Sequence, residues 1–316
     1  MRLRGIAGLA ALGPRLAAIS PMARNLEIES NDARDVADLA HAIRERRVFL
    51  FAGAGLSAGL GLPSWQDFIG RLGTELGFDP KTFLSLSPDF RSLAEYYCLE
   101  KGSLDGLRER MAREWAIADE KLAASDVYRL IVRLGFPLIY TTNYDDLLER
   151  AFELHGVPFN KVTTAKDIAR VEPDVATIVK FHGDLADGAL VLTETDYFRR
   201  LGFEEPLDVQ LMADALRRGI LFLGYSASDV NLRLLLFRLR QIWSDRSDGD
   251  SRPKSYIVMT RPDRIQERIL DSWGVIPVVA SRRDNEDESV ALVSFLERLA
   301  GCEAASRLHG QAVEDE

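Results

Sequence analysis

Cysteine is nearly absent, with Cys98 and Cys302 the only two in 316 residues. Two cysteines this far apart exclude a disulfide framework and any cysteine-based zinc knuckle, and they fit a reducing compartment such as the cytoplasm. An excess of basic charge is also missing. Lys and Arg number 40 against 49 Asp and Glu, a net charge of −9. That balance argues against a nucleic-acid surface spread over the fold, because phosphate neutralisation needs clustered cations. No apolar run reaches the roughly twenty residues that a membrane-spanning helix requires. No internal repeat or low-complexity tract stands out, and histidine occurs four times.

What is present is ordinary globular material, 47% hydrophobic, enough for a large α/β domain with an inserted subdomain. The first two dozen residues, "MRLRGIAGLAALGPRLAAISPMAR", hold four arginines and no acid. Their apolar centre is short and broken by Gly13 and Pro14, so residues 1–28 are expected to be an extension outside the fold. Residues 29–300 read as the folded domain and 301–316 as a frayed tail.

Six apolar, largely β-branched runs appear: "VFLFA" (48–52), "PLIYTT" (137–142), "ATIVKF" (176–181), "GILFLGY" (219–225), "SYIVM" (255–259) and "VIPVVA" (275–280). Helical patterns separate them. Continuous rather than alternating apolar strands indicate a parallel sheet covered on both faces. The expected fold is therefore α/β, a doubly wound Rossmann-like parallel sheet of about six strands. A long, mostly helical stretch between the first two runs predicts a helical inserted subdomain at about 78–126. Residues 185–219 read as a turn or hairpin followed by helices, and "SDRSDGDSRP" (244–253) as an exposed loop.

Ligands of such sheets sit at the carboxyl ends of the strands, where connections switch sides. The first strand end is "GAGLS", in which Gly53, Ala54, Gly55 and Ser57 follow Ala52. A small, glycine-rich turn can expose N–H groups to a pyrophosphate, or it can serve a tight strand-to-helix turn and nothing else. The second end is "TTNYDD", carrying Thr142, Asn143 and Asp145, where a helix cap is the plain alternative. The third is "KFHGD", with His182 at the tip of a strand. The fourth is "LGYSASDVN", with Gly224 and Ser226 in a small polar turn. Of the other histidines, His41 and His155 lie in helical patterns and His309 in the tail.

"FAGAGLSAGLGLPSW", "YTTNYD", "KFHGD" and "FLGYS", in this order, resemble the sirtuin family, specifically its branch in bacterial antiviral defence, over about 40–280. "LTETDYFRRL" (192–201) also resembles that branch rather than the protein deacylases. The resemblance implies that NAD lies against the first turn as a substrate. Ala52, Gly53, Ala54, Gly55 and Ser57 match the family's phosphate loop. Asn143 and His182 match its catalytic pair, Asp145 its nicotinamide-side acid, and Gly224 and Ser226 its second phosphate contact, with Thr142 alongside. Zinc is not implied, because residues 183–224 lack the four cysteines that deacylating members carry there. "PSWQ" places Gln66 where those members have arginine, and Thr142 stands in place of a glutamine. Both departures weaken acyl-lysine chemistry and leave nucleotide binding intact.

The implied activity is NAD+ glycohydrolysis by a cytoplasmic defence effector. The alternatives are a protein deacylase or ADP-ribosyltransferase, and a non-catalytic NAD or ADP-ribose sensor that would not need the Asn143–His182 pair. Cleaving the nicotinamide–ribose bond passes through an oxocarbenium-like state, so the ribose must be held and water positioned. A neutral His182 can accept a proton from a ribose hydroxyl or water, and Asn143 can orient either. Asp145 could hold the nicotinamide carboxamide or cap a helix. Homo-oligomerisation, or a separate sensor such as a ring-forming ATPase or a short Argonaute, is the expected route to activation. No metal, direct nucleic-acid contact or membrane contact is expected.

Overall fold

The computed structural model describes residues 21–186, 190–225, 230–244, 252–281 and 286–314. Its centre is one parallel sheet of seven strands in the order β3-β4-β2-β1-β5-β6-β7. These are β1 (Val48–Ala52), β2 (Leu138–Thr141), β3 (Phe159–Val162), β4 (Ala176–Lys180), β5 (Gly219–Leu223), β6 (Ser255–Met259) and β7 (Val275–Val279). All six runs read from the sequence are strands. The seventh, β3, is the short edge segment "FNKV", which pairs with β4 alone and is only partly buried. Its polar composition carries none of the apolar signal that marks the central strands.

Without β3 the order is that of a Rossmann sheet, and β1 lies at the point where the winding reverses. From β1 the chain moves outward through β2 to β4, then returns to place β5 on the other side of β1. The side chains of β1 show why both faces must be covered. Val48, Leu50 and Ala52 enter one apolar cluster and Phe49 and Phe51 the other, the period of two that a strand imposes. The first cluster is completed by helices Asp126–Leu134, Leu147–Leu154 and Glu288–Glu314, and the second by helices Pro206–Arg217 and Val230–Ser244.

Between β1 and β2 the chain is helical, including Trp65–Glu75, Pro80–Ser85, Phe90–Lys101, Asp105–Glu114 and Asp119–Ala123. A third apolar cluster joins Phe68, Leu72, Phe83, Tyr97 and Met111 of these helices to Tyr144, Leu190 and Leu192. This helical layer therefore sits against the segments that follow β2 and β4. Two sequence expectations differ at the ends. A helix Pro21–Arg44 starts inside the expected extension, and the helix Glu288–Glu314 runs through most of the expected tail. "CEAASRLHGQAVE" holds many good helix formers, among them three alanines, two glutamates, a leucine, an arginine and a glutamine.

Candidate active site at the strand ends

The turn after β1 is built by close approach. Gly53 N–H donates to Leu223 O at 2.8 Å and Gly55 N–H to Gly224 O at 2.9 Å, tying the turn to the end of β5. A Cβ at Gly53 would lie 2.6 Å from Gly224 O and 2.6 Å from the Tyr225 ring. Gly224 itself has φ +72, a left-handed conformation that glycine adopts without steric cost. The tight-turn explanation of the glycines is therefore present in the contacts. The amides of Gly53, Gly55 and Leu56 are spent within the protein, Leu56 N–H donating to Gly53 O at 3.1 Å, so these three are not free to face a phosphate. Ala54 and Gly55 are exposed beside this junction, while Ala52 is buried and its carbonyl accepts from Thr141 Oγ1 at 3.0 Å.

Asn143, Ser57 and Asp145 are brought together behind the turn. Asn143 Nδ2 donates to Gly53 O at 3.1 Å and to Ser57 Oγ at 2.9 Å. Ser57 Oγ donates to Asp145 Oδ2 at 2.7 Å, and Leu147 N–H donates to Asp145 Oδ1 at 3.2 Å. All three side chains are buried. Asn143 Oδ1 is also buried and has no hydrogen-bond partner. An unpaired carbonyl oxygen in this position is costly and needs an explanation, of which a ligand hydroxyl is one. Asp145 has both carboxylate oxygens engaged, one of them in the cap-like bond to Leu147, so the capping alternative is visible in the geometry. Burial pushes its carboxyl above the ordinary range, opposed by Lys180 and the Ser57 hydroxyl.

His182 occupies different surroundings. It is 5% exposed and sits at 5.6 Å, nearly parallel, from the Phe181 ring and at 5.4 Å, edge-on, from Tyr197. Burial, with the nearby Arg200 cation, lowers its pKa to about 3. Arg200 stacks 3.8 Å from the Phe181 ring centre, donates to Phe181 O and pairs with the buried Asp208. His182, Tyr197, Arg200, Phe51, Phe181 and Tyr225 help to line a cavity of about 40 Å³. Thr142 lines it too, its hydroxyl bonded to Tyr225 OH. No hydrogen bond joins His182 to Asn143 among the described residues. They are related by register, Thr141 of β2 lying beside Lys180 of β4 and Phe181 N–H donating to Thr141 O at 2.7 Å. Ser226 lies outside the described residues.

Sequence reasoning missed a buried charged group beneath the site. Lys180, fully buried at the end of β4, donates to Asp145 O and lies 3.2 Å from Glu149 Oε1 and 3.8 Å from Asp184 Oδ2. Lys161 of β3 reaches Asp184 Oδ2 at 2.6 Å and Glu149 Oε1 at 3.8 Å. Burial raises the Glu149 carboxyl. Burial also acts to raise Asp184, but the two lysines and the Ala186 amide outweigh it and hold that carboxyl below its ordinary value. The signal was a lysine inside the otherwise apolar run "ATIVKF", since a lysine is almost never fully buried without partners.

Residues 137–278 match the family described as the SIR2-like domain. The matched segment contains Asn143, Asp145, His182 and Gly224. An NAD(+) hydrolase ThsA of Enterococcus faecium is 32% identical over 237 residues, 74% of this chain and 47% of that protein. One from Bacillus cereus is 32% identical over 214 residues, 66% of this chain and 43% of that one. Defense-associated sirtuin 2 of Bacillus subtilis is 25% identical over 254 residues, 78% and 24% of the two chains. The matched stretch thus spans less than half the length of these curated relatives. A solved Sir2 homologue–NAD complex aligns with TM-score 0.43 and 14% identity, over 84% of this chain and 94% of that one. Residues 137–278 thus resemble a SIR2-like domain, and the chain is similar to bacterial NAD(+) hydrolases and to a defence-associated sirtuin.

Proposed function

We propose that the chain is an NAD+ glycohydrolase that cleaves the nicotinamide–ribose bond and depletes NAD as a defence effector. The observation that carries this reading is the buried, unpartnered Asn143 Oδ1 beside the glycine junction that ties the ends of β1 and β5 together. The names of the similar NAD(+) hydrolases and of the defence-associated sirtuin support it from outside the geometry.

Asn143 supplies a neutral acceptor to a ribose hydroxyl or to the attacking water, and its carbonyl dipole faces the positive charge that develops as nicotinamide departs. Both amide hydrogens are already committed, so the oxygen is aimed without reorganisation. His182 is neutral at physiological pH and acts as an acceptor that orients a hydroxyl or water. With so low a proton affinity it holds the hydroxyl or water in place rather than taking up its proton. Ala54 and Gly55 offer small, exposed surface for the dinucleotide, and Thr142, Gly224 and Ser226 belong to the same proposed contact set. Asp145 acts by holding Ser57, and through it Asn143.

The proposal is zinc-free, in keeping with the lack of cysteine at 183–224. Among the described residues no group of three or more His, Cys, Asp or Glu could hold a metal ion, and no helix is long and apolar enough to cross a membrane. A cytoplasmic location and activation by homo-oligomerisation or by a separate sensor protein complete the reading, with no direct contact to nucleic acid. The test is incubation of an assembled or trigger-activated preparation with NAD, with products separated by chromatography. Nicotinamide together with ADP-ribose or its cyclic form is expected. Intact NAD with binding retained would favour the sensor alternative, and acyl transfer from a peptide would favour the deacylase.

A further inference from the structure

We propose that Lys180 is a positioning residue for the Asn143 amide, acting through the Asp145 turn and Ser57. The inference rests on the glycohydrolase reading, in which Asn143 Oδ1 faces the substrate.

The chain of contacts is continuous. Lys180 Nζ donates to the Asp145 carbonyl, which fixes the turn that follows β2. The carboxylate of that same residue accepts from Ser57 Oγ at 2.7 Å. A serine hydroxyl has one hydrogen, so Ser57, having donated to Asp145, meets Asn143 only as an acceptor. The Asn143 amide must therefore turn its NH2 toward Ser57, at 2.9 Å, and toward the acceptor-only carbonyl of Gly53, at 3.1 Å. Oδ1 is left pointing away from both. Each donor and acceptor in the sequence from Lys180 to Asn143 is buried, so water is poorly placed to replace a missing member.

The charges explain how a lysine can sit there. Glu149 and Asp184 neutralise Lys180 and Lys161, giving a balanced group in which Glu149 sits on the helix Leu147–Leu154 that the Asp145 turn starts. Lys180 therefore links β4, the turn after β2 and the first helix after that turn. A cation at this point also favours the ionised form of Asp145, the form that only accepts and so sets the direction of the Ser57 hydroxyl.

Removing Lys180 alone would strand buried acids and endanger the fold. The test is therefore the paired variant Lys180→Met with Glu149→Gln, which removes one charge of each sign. It is made in the wild-type background and with Asn143→Ala. Turnover and KM for NAD and the melting temperature are measured on each. The expected result is a fall in kcat of about tenfold with KM nearly unchanged, and no further fall when Asn143 is already alanine, as for residues acting through one another. Ser57→Ala should behave the same way and serves if the paired variant fails to fold. Equal losses in both backgrounds, or unchanged kcat in a folded variant, would overturn the proposal. A second readout does not depend on hydrolysis: the side-chain amide signal of Asn143 in nuclear magnetic resonance, assigned by its loss in Asn143→Ala. Its shift and exchange protection should change in the paired variant, and an unaltered signal contradicts the positioning role. Absent NAD turnover by the wild type in assembled or trigger-activated preparations would instead defeat the glycohydrolase reading and leave this signal to decide the role of Lys180.

Discussion

The two halves of the candidate site are held in opposite ways. Around Asn143 the side chains are fixed by directed hydrogen bonds, and one acceptor is left over. Around His182 the ring is fixed by aromatic packing, with no hydrogen bond to either ring nitrogen among the described residues. The polar half is thus specified in orientation, while the aromatic half is specified in position. Burial and the Arg200 cation suppress the proton affinity of the histidine, whereas a hydrogen-bonded amide keeps its acceptor strength. In this account Asn143 carries the larger part of transition-state contact and His182 the smaller.

The largest expected effect disturbs both halves together. Gly53→Val would press a side chain against Gly224 O and the Tyr225 ring, each 2.6 Å from the added Cβ. Overpacking against backbone of this kind costs about 3 kcal/mol or more, so thermal melting should show a lowered transition or no folded protein. A normal melting curve would mean that the β1–β5 junction is looser than described.

His182 separates packing from chemistry. His182→Ala should lower stability by about 2 kcal/mol through the cavity it leaves, whereas His182→Phe should keep the melting temperature within a few degrees. Both should lower turnover by roughly tenfold to a hundredfold. The loss in the alanine variant follows from the burial of the ring against Phe181 and Tyr197. Full activity in His182→Phe would reduce this half of the site to scaffold.

Acid titration sharpens the comparison further. His182 stays neutral in the folded chain down to about pH 3, against an ordinary value of 6.5. The unfolded chain therefore takes up the proton first, so this group's contribution to stability is complete above pH 6.5 and is lost as pH falls toward 3. Urea titrations at several pH values should show a smaller decline for His182→Phe than for the wild type. Identical slopes would place the imidazole in contact with water. Smallest of all, Tyr225→Phe removes the bond to Thr142 and should cost about 1 kcal/mol or less, read as a shift of the melting transition.

Much of this is legible in the sequence. The continuous apolar runs gave six strands, and the rule that ligands sit at strand ends singled out Asn143, Asp145 and His182. The edge strand β3 was not legible because "FNKV" is polar and only half covered. The glycine turn was ambiguous for a physical reason. The same small residues permit close approach of β5 and of a ligand, and the contacts with Leu223 and Gly224 show the first use directly. Lys180, Glu149 and Asp184 escaped notice because charged residues in sequence read as surface. Their partners come from three separate elements that only the folded chain brings together.

The measurement that bears most directly on the central claim is nicotinamide release by wild type and Asn143→Ala, with NAD affinity and melting temperature determined on the same preparations. The account predicts a loss of turnover on the order of a hundredfold or more, with NAD still bound. Asn143→Ala should also melt at a modestly lower temperature, since it leaves the Ser57 and Gly53 acceptors unmet. Undiminished nicotinamide release from a folded Asn143→Ala protein would contradict it.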